Sequence, residues 1–299
     1  ISIFFILFLV FSQDTYAQER QGITVAPSII RLDLSTDLPE AEVFYKNSTQ
    51  VQIELSFSAQ DFSELEEGGR VKFLQELDAK NYRYGLTSWI TFEKKSITLT
   101  PGEGQNIKIF INKGKLTAGG HYATILAEVK QAELAGQLPI KAILSTLLFV
   151  RASTGNELEE MDLQSASPIR TFLGFPDTFL LRVQNKGNVE LIPYGLIEIK
   201  DMFGQVVAKG IVNEGSLITL PESIRRFDVP IRKLARFIAP GIYKANIAVH
   251  FGKGDKNISK TVSFFSLGSI NPLFLGLFVI AAVILWKRRL RKKTQSKLN

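Results

Sequence analysis

Two stretches of this chain carry the same short elements in the same order, written in an alternation of apolar and polar side chains. Residues 43–49, 97–103, 107–111 and 119–125 of the first half are matched by residues 181–188, 217–223, 227–231 and 240–247 of the second. Side chains that alternate with a period of two line opposite faces of a strand, so such runs suit half-buried sheets and not helices. The spacing is kept as well: Pro101 to Gly120 is 19 residues and Pro221 to Gly241 is 20. The pattern predicts an all-β chain of two tandem immunoglobulin-like β-sandwiches, residues 22–152 and 157–266, joined near the polar stretch 152–156. Residues 51–57, 107–111 and 179–183 are the clearest strands, and 197–207 reads as a hairpin turning between Asp201 and Gly204.

Within each copy the repeated residues have local mechanical roles. Asn47 and Asn185 stand where a strand must turn, because asparagine tolerates the left-handed backbone region and bonds to its own turn. Tyr122 and Tyr243 each follow a turn glycine by two residues, the position of a tyrosine corner whose hydroxyl bonds to nearby backbone.

The two ends have a different character. Residues 1–11 are almost wholly apolar and lead to Thr15-Tyr16-Ala17, which predicts a secretory signal peptide over residues 1–17. Residues 273–286 form an apolar run closed by Trp286 and a basic cluster, which predicts a single transmembrane helix over 267–286 with residues 287–299 as a cytoplasmic tail. That tail holds seven of the 36 Lys and Arg and no acid, so the remainder balances at 29 basic against 29 acidic residues. With the excess confined to a juxtamembrane cluster that anionic lipid explains, nucleic-acid binding is not expected.

Chemistry is sparsely written. The chain has no cysteine, which excludes thiol catalysis, disulfides and thiolate metal sites, and only two histidines, His121 and His250, too few for a histidine-built zinc centre. No nucleophile elbow, metalloprotease helix or phosphate-binding glycine loop occurs, so no catalytic residue, cofactor or metal is expected. The departure from the repeat is an inserted loop at 61–87, which lengthens Asn47 to Pro101 to 54 residues against 36 for Asn185 to Pro221. Loops longer than a fold needs tend to carry binding. Candidate ligand contacts are therefore Tyr82 and Tyr84, which could stack on sugar rings, His121 beside its glycines, and the carboxylates Glu66 and Glu67. The acids between Glu64 and Asp78 could also serve glycoside hydrolysis or calcium, though without metal-loop spacing a solvated loop is favoured.

Residues 23–33, 43–47, Ser88-Trp-Ile90, Leu99-Thr-Pro-Gly-Glu103, 119–126 and the terminal anchor together resemble bacterial surface proteins of the WxL-interacting type. That resemblance implies an N-terminal domain that binds peptidoglycan, a second sandwich that engages a surface partner, and a membrane span with a basic tail. The expectation is a non-enzymatic, single-pass cell-membrane protein whose ectodomain binds cell-wall glycan or another envelope protein. The alternative, from a different class, is a periplasmic-chaperone-like module acting by β-strand addition, which requires an exposed, alternating edge strand.

Overall fold

The computed structural model describes residues 22–131, 142–153, 155–169, 174–254, 256–269, 276, 280–281 and 283–287. In chain order the strands of the first half are β1 (Ile23–Ala26), β2 (Ile29–Asp33), β3 (Glu40–Asn47), β4 (Ile53–Leu65), β5 (Arg70–Phe73), β6 (Ile90–Phe92), β7 (Ser96–Leu99), β8 (Gly104–Ile111), β9 (Gly119–Gln131) and β10 (Ala142–Ala152). They form one sheet in the order β1-β3-β8-β6 and a second in the order β2-β10-β9-β4-β5, with β7 also paired to β4. The second half follows with β11 (Met161–Pro168), β12 (Thr178–Asn185), β13 (Tyr194–Lys200), β14 (Val206–Val212), β15 (Ile224–Pro230), β16 (Arg232–Lys233), β17 (Gly241–His250) and β18 (Asn257–Ser266). Its sheets run β11-β12-β15 and β16-β14-β13-β17-β18. The chain is thus all-β, built of β-sandwich domains.

Alternation decides which face of each strand is buried. In β3 the side chains of Ala41, Val43 and Tyr45 enter the first core while their neighbours stay exposed, and in β8 Ile107, Ile109 and Ile111 do the same. The second core takes Phe179, Leu181 and Val183 of β12 and Tyr243, Ala245, Ile247 and Val249 of β17. The first strand is shared between sheets: β1 pairs antiparallel with β3, and after Pro27 the chain crosses to pair β2 in parallel with β10.

The repeat has the same hydrogen bonds in both halves. Asn47 is fully buried; its side-chain nitrogen donates to the carbonyls of Val51 (2.8 Å) and Leu99 (3.0 Å), and its oxygen accepts from the Thr49 N–H (2.9 Å). Asn185, equally buried, donates to Val189 (2.8 Å) and Thr219 (3.0 Å) and accepts from the Gly187 N–H (2.9 Å). The tyrosines diverge. Tyr243 donates to the Ala239 carbonyl four residues upstream, a tyrosine corner, whereas the Tyr122 hydroxyl reaches Glu190 of the other sandwich (3.1 Å).

Two expectations need restating. The segment 61–87 is not a free loop: β4 runs on to Leu65, turns through Glu66 and Gly69, both with positive φ, and returns as β5, followed by the short helix α1 (Glu76–Lys80). The single-pass membrane reading is corrected. Among the described residues no helix is long and apolar enough to cross a membrane. The apolar run 273–286 has only 14 residues, against the about 20 that a bilayer requires. The described part of 267–286 beyond Ser269 is confined to residues 276, 280–281 and 283–286. The expected signal peptide, residues 1–17, lies outside the described residues.

Candidate functional site

β10 is a strand that meets both sandwiches. Its even-numbered residues Leu148 and Val150 belong to the first core, with Ala142 and Leu144 packed against it. Its odd-numbered residues Leu147 and Phe149 face the opposite way, into a cluster with Phe62, Tyr84, Tyr122 and Leu220 that joins the sandwiches. Ring centroids there are 5.5 Å apart for Tyr122 and Phe149 and 5.7 Å for Phe62 and Phe149, both edge-on. Such tilted arrangements set the positive ring edge on the negative face.

On its two edges β10 is treated unequally. Along its whole length it pairs with β9, from Ala142↔Val129 to Ala152↔Gly119. On the other side pairing with β2 starts only at Leu147↔Ile29, where the Leu147 N–H donates to the Ser28 carbonyl (2.9 Å). Among the described residues nothing pairs with residues 142–146 on that side. Donors two residues apart in a strand point the same way, so the N–H groups of Ile143 and Ser145 face this open edge. The side chains of Ile143 and Ser145 are exposed on the outer face.

A polar brace fixes the end of β10 to the second sandwich. The Arg151 guanidinium lies 3.0 Å from Glu159 and 3.7 Å from the Glu190 carboxylate, and donates to the Glu190 carbonyl at 3.1 Å. These side chains are 13 %, 7 % and 12 % exposed. Burial raises the Glu190 carboxyl above the usual range, the opposing pull of Arg151 notwithstanding. For Glu159 burial acts the same way, but the Lys253 N–H, Arg151 and Lys256 outweigh it and hold the group low. Nearby, Asp33 at the end of β2 accepts from Ser35, Ser153 and Lys253.

Burial alone would raise the Asp33 carboxyl, yet the Lys253, Ser35 and Ser153 hydrogen bonds prevail and depress it far below the ordinary aspartate range. A depressed folded-state value means that the stabilisation is present above the unfolded value and is lost as pH falls. Asp33→Asn should therefore lower stability by about 1–2 kcal/mol near pH 7, with the gap closing as pH drops below about 4. Urea midpoints at several pH values check this; a gap that stays constant into the acid range contradicts it.

Of the five residues singled out in the sequence, the structure brings Tyr82 and His121 to one depression and sends the others elsewhere. A depression of about 740 Å³ beside α1 is lined by Tyr82, His121, Asp61 and Trp89, among others. His121 is buried, with its ring nitrogens 3.1 Å from the Gly85 carbonyl and 2.9 Å from the Thr117 carbonyl. Asp61 accepts from Leu86 N–H, Thr87 N–H and the Thr87 hydroxyl, all within 2.8 Å, and so shapes the same turn. Tyr84 is buried and donates to Glu222 of the second sandwich (2.7 Å); burial and that bond push its hydroxyl up to about 12. Glu67 holds Arg182 of β12 in a two-pronged pair while its carbonyl accepts from the Arg226 N–H (2.8 Å), and the Arg182 hydrogen bond keeps its carboxyl low. Glu66 is exposed and pairs with Arg70. Sequence reading missed Arg151, Glu190 and the open edge of β10, since none carries a local motif.

No family model matches this chain, and no curated protein matches it. Among solved structures, one described as a chaperone–tip adhesin complex of CFA/I fimbriae biogenesis is similar at 11% identity and a TM-score of 0.47, covering 82% of this chain and 99% of that one. The E. coli chaperone DraB is similar at 10% identity and a TM-score of 0.41, covering 81% and 98%. A Salmonella enterica SafA pilin–SafB chaperone complex is similar at 9% and 0.40, covering 82% and 99%. The expected resemblance to WxL-interacting surface proteins is corrected: no family model or curated protein carries it, and the solved structures that are similar are described as fimbrial chaperones. The cell-wall-glycan partner and the membrane-anchored ectodomain that was to present the glycan are corrected with it, no helix among the described residues being long and apolar enough to cross a membrane. The geometry agrees: Tyr84 and Glu67, expected as ligand contacts on a free loop, face the second sandwich.

Proposed function

We infer that this chain is a non-enzymatic, chaperone-like binding module that pairs its β10 edge with an extended strand of a partner protein. The observation that carries the reading is the stretch 142–146, Ala-Ile-Leu-Ser-Thr, an open edge without charge or proline. Exposed sheet edges invite pairing, and proteins commonly blunt them. Several other edges of this fold are blunted. Arg31 and Asp33 charge β2, a register shift interrupts β11 and Pro230 ends β15, β16 is two residues long, and Lys260 sits in β18. Main-chain hydrogen bonds to the edge would supply affinity and alternate side-chain positions would supply selectivity. The two sandwiches of this reading are residues 22–152 and 157–266, with Tyr84 and Glu67 holding them together so that the β10 edge keeps a fixed setting.

Ser145→Pro tests the idea, because it removes a donor on the open side without cutting a bond to β9, and proline is tolerated at strand edges. The variant is expected to keep its far-ultraviolet circular dichroism and to bind short alternating threonine–valine peptides about tenfold more weakly or worse. Unchanged peptide affinity in a folded Ser145→Pro protein would sink the reading.

A further inference from the structure

A pocket of about 220 Å³ lies where the open edge of β10 ends. Ile29, Phe62, Leu147 and Phe149 of the first sandwich and Leu217 and Leu220 of the second wall it. The apolar lining is broken by four charged residues, Arg31, Glu64, Arg70 and Arg225. Both Glu64 carboxylate oxygens and the Arg225 Nε are shielded from solvent and make no hydrogen bond of good geometry among the described residues, although Ser223, Leu220 and Arg225 lie near enough to Glu64 to favour its charged form. Arg225 as a whole is only 9% exposed, and one of its terminal nitrogens donates to the Ile218 carbonyl. Burial raises the Glu64 carboxyl and lowers the Arg225 guanidinium, against the attraction between the two opposite charges.

Buried polar groups without partners are costly, and each one in a folded protein calls for an explanation. Here an acceptor and a donor are held on the wall of a pocket smaller than those that take drug-sized ligands. A peptide amide meets that pair, its N–H directed to Glu64 and its carbonyl to Arg225 Nε, while an apolar side chain fills the remaining space. The place agrees with this. A strand laid along Ile143 and Ser145 runs end-on into Ser28 and Ile29, and Ile29 and Leu147 form both the first β2–β10 pair and part of the pocket wall.

We propose that this pocket is the selectivity site for the added strand, receiving a bulky apolar side chain at the strand's end together with the adjoining backbone amide. The proposal rests on the strand-addition reading above. It gives the pocket a partner class, an extended polypeptide ending in leucine- or phenylalanine-like residues, and it gives the Glu64 carboxylate and the Arg225 Nε well-placed hydrogen-bond partners.

The test uses the full chain and two sets of fluorescein-labelled alternating threonine–valine peptides, with Gly, Ala, Leu or Phe at either the first or the last position. In one set Leu or Phe should bind about tenfold more tightly than Gly. The preference should fall below about threefold in Leu217→Trp, which fills the pocket from a half-exposed position, and in Glu64→Met, which removes the acceptor. Equal affinity for all end residues, or a preference that survives both variants while Ser145→Pro still abolishes binding, overturns the pocket proposal and leaves strand addition standing. Failure of every peptide to bind, or binding that Ser145→Pro does not affect, overturns strand addition and the pocket with it.

Discussion

Arg151→Met is expected to destabilise the protein by about 3–5 kcal/mol, because it leaves two buried carboxylates without the cation between them. Glu159 keeps the Lys253 N–H at 2.7 Å and the Lys256 ammonium at 3.4 Å, so it is partly provided for. Glu190 is worse placed: its remaining side-chain bond is with the Tyr122 hydroxyl at 3.1 Å. Most of the loss should therefore trace to Glu190, and adding Glu190→Gln to Arg151→Met should recover at least about 1 kcal/mol. Arg151→Lys should also be costly, since one ammonium cannot span Glu159, the Glu190 carboxylate and the Glu190 carbonyl as a planar guanidinium does. Urea unfolding of the wild type, Arg151→Met, Glu190→Gln and the double variant near pH 7 gives the cycle, with Arg151→Lys measured beside it. A single-variant loss under about 1 kcal/mol would mean that the brace behaves like a solvated surface pair and does not fasten the sandwiches.

What could be read from the sequence, and what could not, divides by distance along the chain. Alternation is local, so the strands at 51–57, 107–111 and 179–183 fall within or across β4, β8 and β12, and the turn between Asp201 and Gly204 closes the β13–β14 hairpin. Asn47 and Asn185 were legible for the same reason, since their nearest partners lie within four residues. The junction was not. Glu67 meets Arg182 across 115 residues and Tyr84 meets Glu222 across 138, and no spacing rule connects such pairs. Tyr122 and Tyr243 show how identical local writing diverges. Both follow a turn glycine, but the Gly120 N–H donates to Asn188 of the second sandwich at 2.8 Å, which brings Glu190 within reach of Tyr122. The open edge of β10 was hidden too, because it depends on where β2 begins, a fact about a strand more than a hundred residues earlier.

Asn47→Ala and Asn185→Ala are expected to be nearly equal in cost, about 3 kcal/mol each, because both leave two buried carbonyls and one N–H without the amide that served them. Equality follows from the duplicated geometry: the matched bonds agree at 2.8, 3.0 and 2.9 Å in the two sandwiches. Replacement by aspartate should be worse than by alanine, since a carboxylate can accept from Thr49 or Gly187 but sets a negative oxygen against two carbonyls. The chain's two tryptophans make the sandwiches separable. Trp89 packs against the first core, so in a Trp286→Phe background its fluorescence follows the first sandwich while circular dichroism follows both. Asn47→Ala should lower the urea midpoint seen by Trp89. Asn185→Ala should lower the midpoint seen by circular dichroism and move the fluorescence transition only so far as the Arg151 brace and the aromatic cluster couple the two units. Coincident transitions in both variants would show that the junction makes the sandwiches unfold as one. A cost below about 1 kcal/mol at either asparagine would refute the role of these side chains as the matched fastenings of a repeated fold.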